Sequence, residues 1–189
     1  LAPTGSGPDA DGIWSGCVVD DHGTPTAVYT GVEATAGGGV TQTVCLATSD
    51  RSLTSWTRDP ANPVIAGPVE PSAIGFRDPW VVPDGDGWAM FIGTGVDPEG
   101  GKVALFRGPD LRTWAFQGYV LERAPTETEP VWTGRMWECP QLGRSNGTDI
   151  LVWSVWDDHR PALDRDPAEL HYPVVATGRL IDAAFRMDT

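Results

Sequence analysis

The sequence predicts an all-β protein built from a repeated four-stranded unit. Three observations lead there. Short apolar runs rich in aromatic and branched residues alternate with Gly, Asp and Pro clusters, and no stretch sustains a helical period. The segment Ser49-Asp50…Leu53…Trp56 resembles Pro109-Asp110-Leu111…Trp114, roughly 60 residues further on. Polar residues recur at a similar interval where new apolar runs begin: Ser15, Asp78 and Glu138. A four-stranded repeat of that length, with an aromatic near its last strand, is the pattern of propeller blades.

Taken in order, residues 1–12 are rich in Pro, Gly, Asp and Ser and read as loop. The first unit covers about 13–70. It has a strand from Ile13 to Val19, a turn at Asp20-Asp21-His22-Gly23, a return strand from Thr26 to Gly31 and a third from Val40 to Ser49. Trp56 and a Pro-rich link close it. The second unit covers about 76–121. Phe76 to Pro83 and Trp88 to Gly95 flank an Asp-Gly hairpin loop, and Lys102–Arg107 and Ala115–Leu121 complete the four. The third covers about 136–189, with a turn at Asn146-Gly147, strands at Asp149–Trp156 and Tyr172–Thr177, and Ile181–Phe185 in the last place. A closed propeller needs at least four blades, so the ring is expected to be completed by sequence outside these residues.

Composition narrows the class. The formal charge is −13, from 13 Lys+Arg against 26 Asp+Glu. Such a surface repels phosphate backbones, and no basic cluster offers a nucleic-acid or anionic-lipid site. No apolar run reaches the roughly 18 residues that span a membrane. Nine Trp against three Tyr and five Phe favour aromatic-lined sites, carbohydrate sites among them. Three Cys are too few for a disulfide scaffold: Cys17 and Cys45 read as small buried hydrophobes. No cofactor or metal is expected. His22, His159 and His171 show no ligand spacing, and Asp20-Asp21 and Asp157-Asp158 lack the ligand series of a Ca²⁺ loop. The chain carries no signal peptide, yet a secreted or extracellular setting is expected rather than a cytoplasmic one.

The first strand of a blade lines the central channel, so polar residues at equivalent blade starts converge on one end of it. Here those residues are Trp14-Ser15, Arg77-Asp78 and Glu138. Two carboxyls that are distant in sequence and meet in one pocket are what glycoside cleavage requires, one to give a proton to the leaving oxygen and one to stay ionised. Arg77 is expected to keep Asp78 ionised, because an adjacent cation lowers a carboxyl pKa.

Trp14-Ser15-Gly16, Phe76-Arg77-Asp78-Pro79 and Trp137-Glu138-Cys139-Pro140, in this order and spacing, resemble glycoside hydrolase family 32, the invertases, inulinases, levanases and related fructosyltransferases. The resemblance implies a five-bladed propeller that cleaves β-fructofuranosides, such as sucrose, inulin or levan, with retention, or transfers fructose to a sugar. It implies that Glu138 is the acid/base and Asp78 the transition-state stabiliser. Arg77, Trp14 and Ser15 then bind substrate, and Cys139 tunes Glu138 from behind. A thiol beside carboxylates should have a raised pKa and be a poor nucleophile. The family's nucleophile lies in an Asn-Asp-Pro-Asn segment that this chain lacks, and its C-terminal β-sandwich is absent too. Both, with the rest of the propeller, are expected elsewhere in a longer protein. Two other readings stay open: an inverting arabinosidase or xylosidase propeller, and a propeller that binds fructan without cleaving it.

Arg-Asp-Pro occurs twice more, at Arg58-Asp59-Pro60 and Arg165-Asp166-Pro167. Neither precedes a convincing strand, and both read as connections. Trp56 and Trp114 read as structural blade aromatics, and Trp153 and Trp156 as packing.

Overall fold

The structure, a computed structural model, describes residues 1–156 and 171–188. Among them every regular element is a strand, and the strands form three four-stranded antiparallel sheets. The first holds β1 (Gly12–Asp21), β2 (Thr24–Ala34), β3 (Val40–Ser49) and β4 (Trp56–Arg58). The second holds β5 (Ala73–Asp84), β6 (Gly87–Val96), β7 (Gly100–Gly108) and β8 (Ala115–Arg123). The third holds β9 (Met136–Ser145), β10 (Thr148–Trp156), β11 (His171–Ile181) and β12 (Ala184–Met187). Each is a meander in chain order, and together they are three blades of a β-propeller.

Tight turns set the registers. His22-Gly23 and Asn146-Gly147 both have positive φ at the two central residues, the geometry that matches strand twist in a two-residue hairpin. The last connection is shorter than the sequence indicates. Ile181 ends β11, Asp182 takes a left-handed φ of 55°, and the fourth strand begins only at Ala184.

Burial follows position in the stack. The middle sheet is covered on both faces, so β6 is a nearly unbroken apolar run. Its Met90 and Ile92 pack with Val28, Val44 and Leu46 of the first sheet. Its Ala89 and Phe91 pack with Trp137, Leu151 and Trp153 of the third. Strand β10 buries every second residue, as a one-sided strand does. Gly93 allows a close approach: a Cβ there would stand 2.3 Å from the Trp137 carbonyl oxygen. That contact brings β9 against β6 and sets where Glu138 falls.

The repeated Asp…Leu…Trp segments are one structural device used twice. Trp56 Nε1 donates to the Leu53 carbonyl at 3.2 Å and Trp114 Nε1 to the Leu111 carbonyl at 2.9 Å. Asp50 and Asp110 each accept from the backbone N–H two residues on. These aromatics fasten outer turns.

Candidate active site

The inner strands β1, β5 and β9 each carry a bulge at the residues singled out in the sequence. Ser15 is unpaired between Trp14 and Gly16. Asp78 and Pro79 lie between paired Arg77 and Trp80, and Cys139 and Pro140 between paired Glu138 and Gln141. Pro79 and Pro140 have no N–H to give a ladder, which suits them to a bulge. Asp78 and Cys139 take left-handed φ values of 62° and 48°. This conformation is strained for a residue with a Cβ and is held only where the surroundings impose it.

The bulges correct the blade register by one residue. The equivalent of Asp78 in the third sheet is Cys139, and Glu138 is the equivalent of Arg77. Arg77 accordingly meets its counterpart across the gap between sheets: its Nε donates to Glu138 Oε1 at 2.7 Å. The two side chains are 8% and 24% exposed. The bulge residues are linked in the same way. The Asp78 N–H donates to Thr30 Oγ1 at 2.8 Å, and Thr30 Oγ1 donates to the Ser15 carbonyl at 3.1 Å. The Cys139 N–H donates to Asp78 Oδ2 at 3.1 Å.

All six residues expected at a site, Trp14, Ser15, Arg77, Asp78, Glu138 and Cys139, line one cavity of about 470 Å³. Sequence reasoning missed Gln42 on β3, and it read Trp156 as packing; both also line the cavity. Gln42 stands between Thr41 and Thr43, polar residues like itself, so its stretch of sequence did not single it out. The Arg77 guanidinium carbon stands 5.8 Å from the Trp14 ring centroid and 5.3 Å from that of Trp156, within cation–π range of both.

The expected protection of Asp78 by Arg77 acts in the expected direction but is outweighed. Burial pushes the Asp78 carboxyl above its ordinary value, and the charge of Glu138 pushes the same way. The Cys139 N–H and the Arg77 charge oppose the shift without overcoming it, because the direct partner of Arg77 is Glu138. Burial, with the charges of Asp78 and Glu138, pushes the Cys139 thiol up to about 12. It is therefore protonated at neutral pH and a poor nucleophile.

The second Arg-Asp-Pro is a connector. Arg58 Nε donates to Asp9 Oδ2 at 2.6 Å, and Asp59 pairs with Arg112 of the next sheet. Asn62 pairs with Leu46 through both ends of its side-chain amide, like one more strand residue. The third copy, Arg165-Asp166-Pro167, lies outside the described residues, as do Asp157, Asp158 and His159. Among the described residues no group of three or more His, Cys, Asp or Glu side chains is arranged to hold a metal ion.

Fold and site together define a β-propeller with paired carboxyls at the inner ends of adjacent blades. Residues 1–172 match the family model for the glycosyl hydrolases family 32 N-terminal domain, and the chain belongs to that family. Sucrose-6-phosphate hydrolase of Salmonella typhimurium is 36% identical over 148 residues, which are 76% of this chain and 30% of the relative. Raffinose invertase of Escherichia coli is 34% identical over 158 residues, 82% of this chain and 31% of the relative. The chain thus spans about 30% of the length of these relatives. Among solved structures, a family 32 β-fructofuranosidase of Bombyx mori superposes with a TM-score of 0.77 at 28% identity, covering 93% of this chain and 36% of that one. A mutant of the same enzyme has been solved in complex with sucrose.

Proposed function

We propose that this chain forms the acid/base side of a retaining β-fructofuranosidase. The observation that carries the proposal is the meeting of Asp78 and Glu138 in one cavity, bridged by Arg77 and the Cys139 N–H. Glu138 gives its proton to the glycosidic oxygen as that oxygen leaves the anomeric carbon. An aspartate supplied by a segment outside these residues attacks the same carbon and forms a fructosyl ester. Glu138 then takes a proton from water, whose oxygen displaces the ester, and both carboxyls return to their starting states. Asp78 accepts hydrogen bonds from the fructose hydroxyls and stabilises positive charge at the anomeric carbon. Trp14 supplies an apolar wall, and Ser15 a hydroxyl at the rim. A sugar hydroxyl in place of water makes the same site a transferase.

The relatives' names and the neighbour's sucrose complex support a fructoside as substrate. In this reading the remaining blades and a β-sandwich domain complete the protein. Membership of family 32 sets aside the inverting arabinosidase or xylosidase reading.

The test uses the protein expressed from its complete gene. Glu138→Gln should lower kcat/KM on sucrose by about 10²–10⁴-fold, with a much smaller loss of kcat/KM on p-nitrophenyl β-D-fructofuranoside, whose leaving group needs no proton. Equal losses on both substrates would remove Glu138 from the acid role. A wild-type protein that binds fructan and cleaves no fructoside would make it a binding propeller.

A further inference from the structure

We infer that Gln42 is a positioning residue of this site, holding Arg77 out of the end-on pairing that would take both oxygens of Glu138. Gln42 lies on the third strand of the first sheet, far from any motif. Its side-chain oxygen accepts from the Phe76 N–H at 2.8 Å and from Arg77 Nη1 at 3.3 Å. Both partners are donors, so only the oxygen end of the amide can face them. The shorter bond fixes the amide, and the longer one steers the guanidinium.

Arginine and carboxylate prefer a two-toothed pair in which both carboxyl oxygens are taken. Such a pair would occupy the oxygen an acid/base needs free. Here Arg77 offers only Nε to Glu138 Oε1. Nη1 points back to Gln42 and lies close over Gly75, where an added Cβ would stand 2.7 Å from it. Trp14 and Trp156 flank the guanidinium. Of these contacts, the Gln42 oxygen alone is an acceptor that draws Nη1 away from Glu138. A residue of a different sheet therefore excludes the end-on pair, in which Nη1 and Nη2 would take both Glu138 oxygens.

The kinetic half of the test rests on the proposed function, and the structural half does not. In the crystal structure of Gln42→Met, expressed from the complete gene, Arg77 should turn end-on and contact both Glu138 oxygens. On sucrose, kcat/KM should fall about tenfold with KM changed less than about twofold, and the loss of kcat/KM should nearly vanish on p-nitrophenyl β-D-fructofuranoside. Gln42→Glu keeps an acceptor oxygen at the same place and should restore most of the rate. Gln42→Ala leaves room for a water on the Phe76 N–H and gives the same readings if Met is not accommodated. An unmoved Arg77 in either variant overturns the inference, as does an equal loss on both substrates. If the wild type cleaves no fructoside, the proposed function fails, and the crystal structure still decides the role of Gln42.

Discussion

Arg77-Asp78-Pro79 and Arg58-Asp59-Pro60 are the same three residues in two surroundings. In both the Asp is buried, 7% and 8% exposed, and in both the Arg reaches a carboxylate of another segment. The difference is the ratio of charges. Around the second copy each carboxylate has its own guanidinium, Asp9 with Arg58 and Asp59 with Arg112. Around the first, two carboxyls share one: Arg77 pairs with Glu138, and the Asp78 carboxyl accepts from the Cys139 N–H instead. One-to-one pairing fastens a structure. Two-to-one leaves Asp78 with a raised proton affinity, and perturbed carboxyls of this kind cluster at functional sites.

That contrast can be broken by substitution. Asp78→Asn should produce the largest effect, a loss of about 10²–10³-fold in kcat with the fold intact, checked by steady-state kinetics beside a melting curve. Arg58→Met should do the opposite. It leaves Asp9 buried with Tyr29 as its remaining side-chain partner, which costs about 3 kcal/mol, while the rate per folded molecule is unchanged. Denaturant unfolding measures it. Asp59→Asn should cost less, about 1–2 kcal/mol, because Arg112 is half-exposed and regains water. If Asp59→Asn lowers kcat as Asp78→Asn does, the division into site and strut is wrong.

The smallest effect is a matter of pH. The folded-state pKa of Asp78 is raised above 3.8. As pH rises past that value the unfolded chain releases its proton first, so stability falls until the folded group titrates too. Asn has no such penalty. Asp78→Asn should therefore be at least as stable as the wild type at pH 7, and lose that advantage below pH 3.8. Melting temperatures across this range test the sign.

The strands were legible because their signals are local. Turn dipeptides such as Asn146-Gly147 and apolar runs such as Trp88–Gly95 specify hairpins without help from elsewhere. The six expected cavity residues were legible as motifs on inner strands. The register was not. A bulge adds a residue that spacing alone cannot assign, and so Glu138 was aligned with Asp78 when Arg77 is its counterpart. The charge balance was not legible either, since it depends on which carboxylate Arg77 faces across the gap. Gln42 and Thr30 reach the site only through sheet packing, and nothing in their neighbours along the chain marks them. Trp156 was read as packing because a strand-borne Trp usually is; its place at the cavity follows from the end of β10 on which it stands.

Asp78 receives its backbone acceptor from Thr30 in the sheet before it and its carboxyl's donor from Cys139 in the sheet after it. Arg77 is held by Gln42 on one side and Glu138 on the other. No blade owns a complete set of partners for its own inner residues. A nascent chain with one blade folded would leave these groups in water, where an acid and a base are ordinary. The raised proton affinity of Asp78 is thus a property of the seams, present only once the three sheets have packed.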